Sequence, residues 1–120
     1  MNFLFKKRLL LFLAVTGFLI WFCQACYEVP ILMYHRVANE TEKTSSLSVS
    51  PETFERQMEF LKAHHYRVIS LLDLAENMRS GHKISRDTVV ITFDDGTLDN
   101  FQNAFPILRK LRIKATIYMI

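Results

Sequence analysis

A strand-like run that ends in two acidic residues constrains the fold of this chain more than any other feature. Five β-favouring residues, Val89 to Phe93, lead directly into Asp94, Asp95 and Gly96. A run of this kind is typical of a strand that is buried on both faces, as in a parallel sheet. Folds of the α/β class place their chemistry at the carboxyl ends of such strands. The sequence therefore predicts a functional site at Asp94 and Asp95.

The two neighbouring carboxylates are expected to have different roles. Because side chains alternate along a strand, Asp94 and Asp95 should point in different directions. One carboxylate would bind a metal ion and the other would accept a proton, while Gly96 would let the chain turn sharply. The alternative is an Asp-Gly hairpin turn, which is normally followed at once by a matching strand. A helix-like pattern follows here instead.

Strand and helix patterns alternate through the rest of the chain. The predicted strands are 29–34, 66–69, 89–93 and 114–120, and the predicted helices are 51–65, 71–80 and 101–111. Ser50 and Ser70 are the expected N-caps of the first two helices, and 39–48 is a predicted loop. Pro106 predicts that the third helix starts late or is kinked. Such alternation is typical of parallel βαβ units and an α/β fold.

The first 26 residues have the composition of a targeting segment. Lys6, Lys7 and Arg8 precede an apolar run from Leu9 to Cys23. This pattern fits a cleaved signal peptide or an uncleaved membrane anchor, and the two alternatives stay open. We therefore expect a segment 1–26 that contacts the membrane and a domain 27–120 that is exported to the cell surface, the periplasm or the medium.

The charge balance argues against a nucleic-acid partner. The chain has 15 Lys and Arg against 12 Asp and Glu, and three of the basic residues lie at positions 6–8. Beyond residue 26 the count is therefore 15 − 3 = 12 basic against 12 acidic residues. A binder of polyanions would show a basic patch, whereas no basic cluster stands out here. A neutral substrate is expected instead.

Five segments of the exported part together resemble the polysaccharide deacetylase family, also called the NodB-homology domain or carbohydrate esterase family 4. They occur in the family's order and at similar spacing, at 30–37, 48–54, 66–71, 90–96 and 104–108. The resemblance implies a distorted (β/α) barrel, of which this chain would form the N-terminal part. It also implies the metal-dependent hydrolysis of N-acetyl groups on an amino-sugar polysaccharide that contains N-acetylglucosamine.

The resemblance also implies a role for each acidic residue. Asp94 matches the family's general base, and Asp95 matches a ligand of a divalent metal, which would be zinc, cobalt or nickel. Such a metal lowers the pKa of bound water and polarises the acetamide carbonyl, while a nearby carboxylate takes the proton. His35, at the end of the first predicted strand, is a substrate-side candidate or a structural histidine. Asp99 and Asn100 are better explained as a helix cap than as ligands.

Part of the family's metal site has no counterpart in this sequence. The family adds two histidines from a His-x-x-x-His motif and a later histidine that acts as general acid, so an incomplete site is expected. The apolar run at 114–120 predicts that the chain is the front part of a longer protein. The alternatives are an inactive truncated product or a carbohydrate-binding remnant. A phosphate-handling hydrolase is disfavoured because no phosphate loop accompanies the aspartates.

Overall fold

Helices and strands alternate in the computed structural model, which describes residues 3–25, 28–39 and 47–119. The helices are α1 (Phe3–Ala25), α2 (Pro51–Ala63), α3 (Leu71–Ser80) and α4 (Phe105–Leu111), and a π-helical turn at Asn100–Ala104 precedes α4. The strands are β1 (Ile31–Tyr34), β2 (Arg36–Val37), β3 (Ser48–Val49), β4 (Arg67–Ile69), β5 (Thr88–Phe93) and β6 (Thr116–Ile117).

Strand β5 is the centre of a parallel sheet. β1 pairs with residues 90–93 of β5, from Ile31 opposite Val90 to Tyr34 opposite Phe93. β4 pairs with residues 88–90 and β6 with residues 92–93, both parallel to β5. Since β1 occupies one edge of β5, β4 and β6 share the other edge. The predicted parallel βαβ arrangement is confirmed, and within the described residues the sheet is open.

The core covers both faces of β5. Val89, Ile91 and Phe93 lie in one buried cluster with residues of α2 and α4. Val90 lies in a second cluster, with Ile69 and with Leu74 of α3. All six residues of β5 are buried. This confirms the prediction of a strand that is covered on both faces, and it holds the carboxyl end of β5 in a fixed place.

The predicted helix caps are confirmed. Ser50 Oγ accepts a hydrogen bond from the main-chain nitrogen of Thr53 at 3.2 Å. Ser70 Oγ accepts one from the nitrogen of Asp73 at 3.1 Å, and Asp73 Oδ2 accepts one from the nitrogen of Ser70 at 3.2 Å. This reciprocal pair is a capping box at the start of α3. Gly81 ends α3 in the left-handed conformation, with φ 68°.

Three short strands differ from the sequence-based prediction. The predicted strand 114–120 is shorter, because β6 has only the residues Thr116–Ile117. In the predicted loop 39–48, residues 40–46 lie outside the described part, whereas Ser48 begins β3, which pairs in parallel with β2. Strands of two residues are too short to show an alternating pattern, which is why the sequence did not predict β2 and β3.

The third helix begins with an irregular turn, as Pro106 predicts. The main-chain nitrogen of Phe105 donates to the oxygen of Asn100, which closes a π-helical turn over Asn100–Ala104. Regular α-helix starts only at Phe105, where Pro106 lies in the first turn. A proline is tolerated at this position because the first helical nitrogens have no intrahelical acceptor.

The N-terminal apolar segment forms α1, and its apolar side chains are exposed. The exposed residues include Leu10, Leu11, Phe12, Phe18, Ile20 and Trp21. In the part of the chain that the structure describes, no helix combines the length and the apolar character that crossing a membrane requires. The predicted boundary after residue 26 lies outside the described residues, so the signal or anchor role stays a prediction.

Candidate functional site

The loop that follows β5 carries both predicted acidic residues. The main-chain nitrogen of Asp94 donates to the oxygen of Tyr34 at 2.9 Å, which ties the loop to the end of β1. Asp95 and Gly96 are both left-handed, with φ 68° and 60°. A Cβ at Gly96 would lie 3.2 Å from Met119 Cγ, so glycine suits both the conformation and the space. A helical turn and a parallel strand follow, which excludes the hairpin alternative.

The two carboxylates lie in different environments, although not for the predicted reason. The side chain of Asp94 is 27% exposed, while Asp95 is an exposed residue. The prediction rested on alternation along a strand, but β5 ends at Phe93 and neither aspartate belongs to it. Both aspartates lie in the loop after β5, where Asp95 is left-handed. The two residues therefore differ in exposure, and the rule of alternation does not apply to them, while their separate roles stay a prediction.

His35 lies beside Asp94. It follows β1 directly, and its Nε2 is 3.8 Å from Asp94 Oδ2. The side chain of His35 is 25% exposed, so both members of the pair are partly buried at the edge of the sheet where its strands end. Because β1 and β5 are parallel, their carboxyl ends meet at one edge of the sheet. The structure thus brings together His35 and Asp94, as the strand order predicts, and Asp95 is the next residue along the loop.

Asp99 does not cap the following helix. Its side chain makes no capping hydrogen bond, because its own backbone is already helical, with φ −65° and ψ −28°, whereas an N-cap residue is normally extended. Asp99 Oδ2 instead accepts a hydrogen bond from the nitrogen of Val37 at 3.1 Å and lies 3.4 Å from Arg36 Nε. The cap prediction was therefore wrong for Asp99.

Asn100 and Asn103 also bind the segment that follows β1. Asn100 Nδ2 donates to the main-chain oxygen of His35 at 2.9 Å, so this residue is not a cap either. Asn103 Nδ2 donates to the oxygen of Val37 at 2.7 Å. Asn103 was not predicted from the sequence. Its spacing of four residues from Asp99, which places both side chains on one side of a helix, was the available signal.

A small cavity lies next to the acidic loop. It has a volume of about 200 Å³ and is enclosed mainly by apolar residues of β5, α4 and the segment after β6, including Phe93, Phe105 and Met119. Thr97 and Asn100 also line it. Within the described part of the chain, Thr97 Oγ1 and Asn100 Oδ1 are buried without a hydrogen-bond partner. The loop therefore borders an apolar space with polar atoms in its wall.

A wider apolar groove lies elsewhere on the molecule. It has a volume of about 650 Å³ and is lined by residues of β1 and α2, including Leu32, Tyr34 and Phe60. Tyr34 Oη donates to Gln57 Oε1 at 2.8 Å, and burial raises the pKa of the tyrosine. None of the predicted site residues lines this groove. Size alone therefore does not identify the functional site.

The donors at the acidic loop do not fit a complete metal centre. Across residues 3–25, 28–39 and 47–119, no three side chains of His, Cys, Asp or Glu converge on one position. A transition-metal ion in a protein normally takes at least three protein ligands. Asp95 with Asp94 and His35 is therefore insufficient by itself for such an ion.

Comparison with known proteins gives consistent matches. The family model described as polysaccharide deacetylase matches residues 81–120. The Bacillus subtilis protein named "Putative polysaccharide deacetylase YxkH" is 39% identical over 93 residues, which are 78% of this chain and 32% of that protein. The poly-β-1,6-N-acetyl-D-glucosamine N-deacetylase of Staphylococcus epidermidis is 31% identical over 101 residues, which are 74% of this chain and 35% of that protein.

A solved structure agrees with these matches. The Streptococcus pyogenes deacetylase PplD, in complex with acetate, aligns with a TM-score of 0.70 and 30% identity over 77% of this chain and 42% of that chain. The α/β fold described above is therefore the fold of that deacetylase over the aligned region. The chain spans about a third of the length of the curated relatives that it matches.

Proposed function

This chain is a member of the polysaccharide deacetylase family, and from that premise we propose that its protein hydrolyses N-acetyl groups on an amino-sugar polysaccharide. The observation that carries the proposal is the meeting of Asp94 and His35, with Nε2 and Oδ2 3.8 Å apart, at the ends of two parallel strands. The name of the S. epidermidis relative supports an N-acetylglucosamine polymer as the substrate class.

We assign Asp94 the role of general base. Its carboxylate is partly exposed, at 27%, so a water molecule and a substrate can both reach it. A positioned carboxylate at hydrogen-bond distance from a water molecule can accept its proton as the water attacks the acetamide carbonyl. His35 lies on the substrate side of the same edge of the sheet, where its imidazole can orient the carboxylate or a sugar hydroxyl.

We assign Asp95 to a divalent metal, which would be zinc, cobalt or nickel. The exposed position of Asp95 leaves its carboxylate accessible to an ion. The described residues provide too few donors for such an ion, so the proposal requires ligands from outside them. Such a metal would lower the pKa of a bound water and polarise a carbonyl oxygen.

The architecture and location of the whole protein belong to the same proposal. The open sheet of β1, β4, β5 and β6 would be the first part of a distorted (β/α) barrel. Residues 1–26 would direct export, either as a cleaved signal peptide or as a membrane anchor. The basic residues at 6–8 and the exposed apolar side chains of α1 support this location.

The test is acetate release from N-acetylglucosamine oligomers by the protein in the longest form that its gene encodes, with added zinc, cobalt or nickel. Asp94→Asn should lower turnover by roughly 100-fold or more and keep the bound metal, since it removes only the proton acceptor. Asp95→Ala should lower the metal content measured by mass spectrometry of the metals. Asp87→Asn, just before β5 at its opposite end, is the matched control and should behave as the unchanged protein.

Full activity in both site variants would contradict the assigned roles. The 120-residue chain alone is expected to release no acetate, and release that Asp94→Asn abolishes would overturn that expectation. A second candidate function is carbohydrate binding without hydrolysis, which is favoured by the missing three-ligand cluster in the described residues. It predicts that the longest form of the protein binds the polymer and releases no acetate from it.

A further inference from the structure

Three side chains in and just before the π-helical turn that precedes α4 bind the main chain between β1 and β2. They are Asp99, Asn100 and Asn103, which we call the polar clamp. Their partners are the oxygen of His35 and both the nitrogen and the oxygen of Val37, at 2.7–3.1 Å. The clamp therefore joins the π-helical turn to the segment that carries His35.

We propose that Asn100 is a positioning residue that sets the imidazole of His35 against the carboxylate of Asp94. The geometry stands by itself, and only the catalytic importance of this pair rests on the proposed function. The direction in which a side chain leaves the backbone depends on the two peptide groups that flank it. For His35, both of those peptide groups are held by residues that follow β5.

The first peptide group ends in the oxygen of Tyr34, which accepts a hydrogen bond from the nitrogen of Asp94 at 2.9 Å. The second ends in the oxygen of His35, which accepts from Asn100 Nδ2 at 2.9 Å. His35 is thus held on one side by the residue that it faces, and the shortest bond on the other side comes from Asn100. The nitrogen of Arg36, in the same second peptide group, also donates to the oxygen of Leu47, but at the longer distance of 3.4 Å. Loss of the Asn100 bond would leave this peptide group with the long bond alone and let the imidazole turn away from Asp94.

The other members of the polar clamp bind the main chain of Val37, two residues after His35. Asn103 Nδ2 donates to the oxygen of Val37, whose nitrogen is already bound to Asp99 Oδ2. The next residue, Ala38, also donates from its nitrogen to the oxygen of Val49 at 3.0 Å. Several bonds therefore fix the chain at Val37, and removing one of them should leave His35 in place.

Burial supports a positioning role for Asn100 over a packing role. The residue is only 3% exposed, and its Oδ1 has no hydrogen-bond partner within the described residues. An unpaired buried acceptor is unfavourable, and an apolar side chain of similar size would avoid that cost. The amide is therefore a poor choice for filling this space, and the bond from Nδ2 to His35 is what it contributes.

The experiment measures the coupling of His35 to Asp94 by NMR at one fixed pH. The chain has four histidines, and comparison with His35→Gln assigns the ring Cε1–H signal of His35. In the unchanged chain, Asp94→Asn should shift this signal, because the two side chains are adjacent. In an Asn100→Leu background the same substitution should shift it by less than half as much. Asn103→Leu, which loses the same type of bond from the same turn, is the matched control and should preserve the shift.

Two results would overturn the proposal. One is a full shift on Asp94→Asn in the Asn100→Leu background, and the other is an equal loss of the shift with Asn103→Leu. If Asn100→Leu does not fold, the unchanged chain decides the question through the scalar coupling across the hydrogen bond from Asn100 Nδ2 to the carbonyl carbon of His35. Absence of this coupling, in a spectrum that detects main-chain couplings of β5, would contradict the bond. None of these measurements depends on deacetylation, so their outcome is separate from that of the proposed function.

Discussion

Helix α1 and strand β5 are both apolar runs, yet their side chains have opposite surroundings. Phe12 of α1 is 65% exposed, whereas Phe93 of β5 is 1% exposed. β5 has strands on both edges and buried clusters on both faces. Apolar composition alone therefore does not place a segment in the core. A segment becomes part of the core when its neighbours supply surfaces that match both of its faces.

The apolar side chains of β5 and of α1 therefore contribute differently to the protein. The side chains of β5 hold the sheet together and fix the loop that carries Asp94. The side chains of α1 offer apolar surface that the described residues leave open, which agrees with the proposed role in export. A substitution that is severe in the α/β part, which β5 and α3 belong to, should be mild in α1. Two pairs of substitutions and one pH comparison test this contrast.

The largest effect is expected for the two phenylalanines. Phe93→Ala should lower the free energy of unfolding by about 3–5 kcal/mol, because it removes a fully buried ring and leaves a cavity. Phe12→Ala should change the free energy by no more than about 0.5 kcal/mol, because the ring is exposed. Urea denaturation followed by circular dichroism measures both. Equal effects would show that α1 packs into the fold in solution.

A smaller effect is expected for two hydroxyl groups that bind main-chain atoms. Ser70→Ala should lower the free energy of unfolding by about 1 kcal/mol. It removes the hydroxyl that accepts a hydrogen bond from the nitrogen of Asp73 in the capping box of α3. Thr16 Oγ1 instead donates to a main-chain oxygen, that of Phe12 at 2.9 Å, inside α1. Thr16→Ala should leave the thermal midpoint of the α/β part unchanged. A comparable loss of stability in Ser70→Ala and Thr16→Ala would contradict the expected difference between α1 and the α/β part.

The smallest effect is expected from pH. The hydrogen bond from the Ser70 side chain, with others from the Ser70 main chain and Lys114, lowers the pKa of Asp73. A lowered folded pKa adds stability above the unfolded pKa, and this stability is lost as the pH falls through the folded value. Acid should therefore destabilise the unchanged chain slightly more than Asp73→Asn. α1 contains no acidic residue, so its helix content should not change over the same range.

The midpoint of thermal unfolding, measured from pH 6 downward, checks this expectation. The expectation is contradicted if the midpoint falls more steeply with falling pH in Asp73→Asn than in the unchanged chain.

Local patterns were enough to predict the parts of the fold that short-range physics determines. The caps at Ser50 and Ser70 follow from hydrogen bonds that span three residues, and β5 follows from an unbroken apolar run. The meeting of His35 with Asp94 also followed from sequence, because parallel strands bring their carboxyl ends to one edge. In each case the information lies within a few neighbouring residues or in the order of the strands.

The remaining features depend on contacts between distant segments. Asp99 reaches the nitrogen of Val37, 62 residues earlier in the chain, and no local pattern indicates that partner. An aspartate before a helix looks like a cap, and here the long-range bond prevails over the local preference. The left-handed backbone of Asp95 was not predicted for a related reason, because the alternation rule applies only as far as the strand continues.

The π-helical turn has a consequence for reading related sequences. It closes through a bond from Phe105 back to Asn100, five residues apart, so it holds one residue more than an α-helical turn would. If the same residues formed a regular α-helical turn instead, the residues before the turn would rotate by about 100° relative to α4, because each α-helical residue turns the chain by that angle. Asn100 would then face away from His35 even though its letter were unchanged. The π-helical conformation of this short stretch, and not only its composition, therefore decides whether an asparagine at position 100 reaches His35.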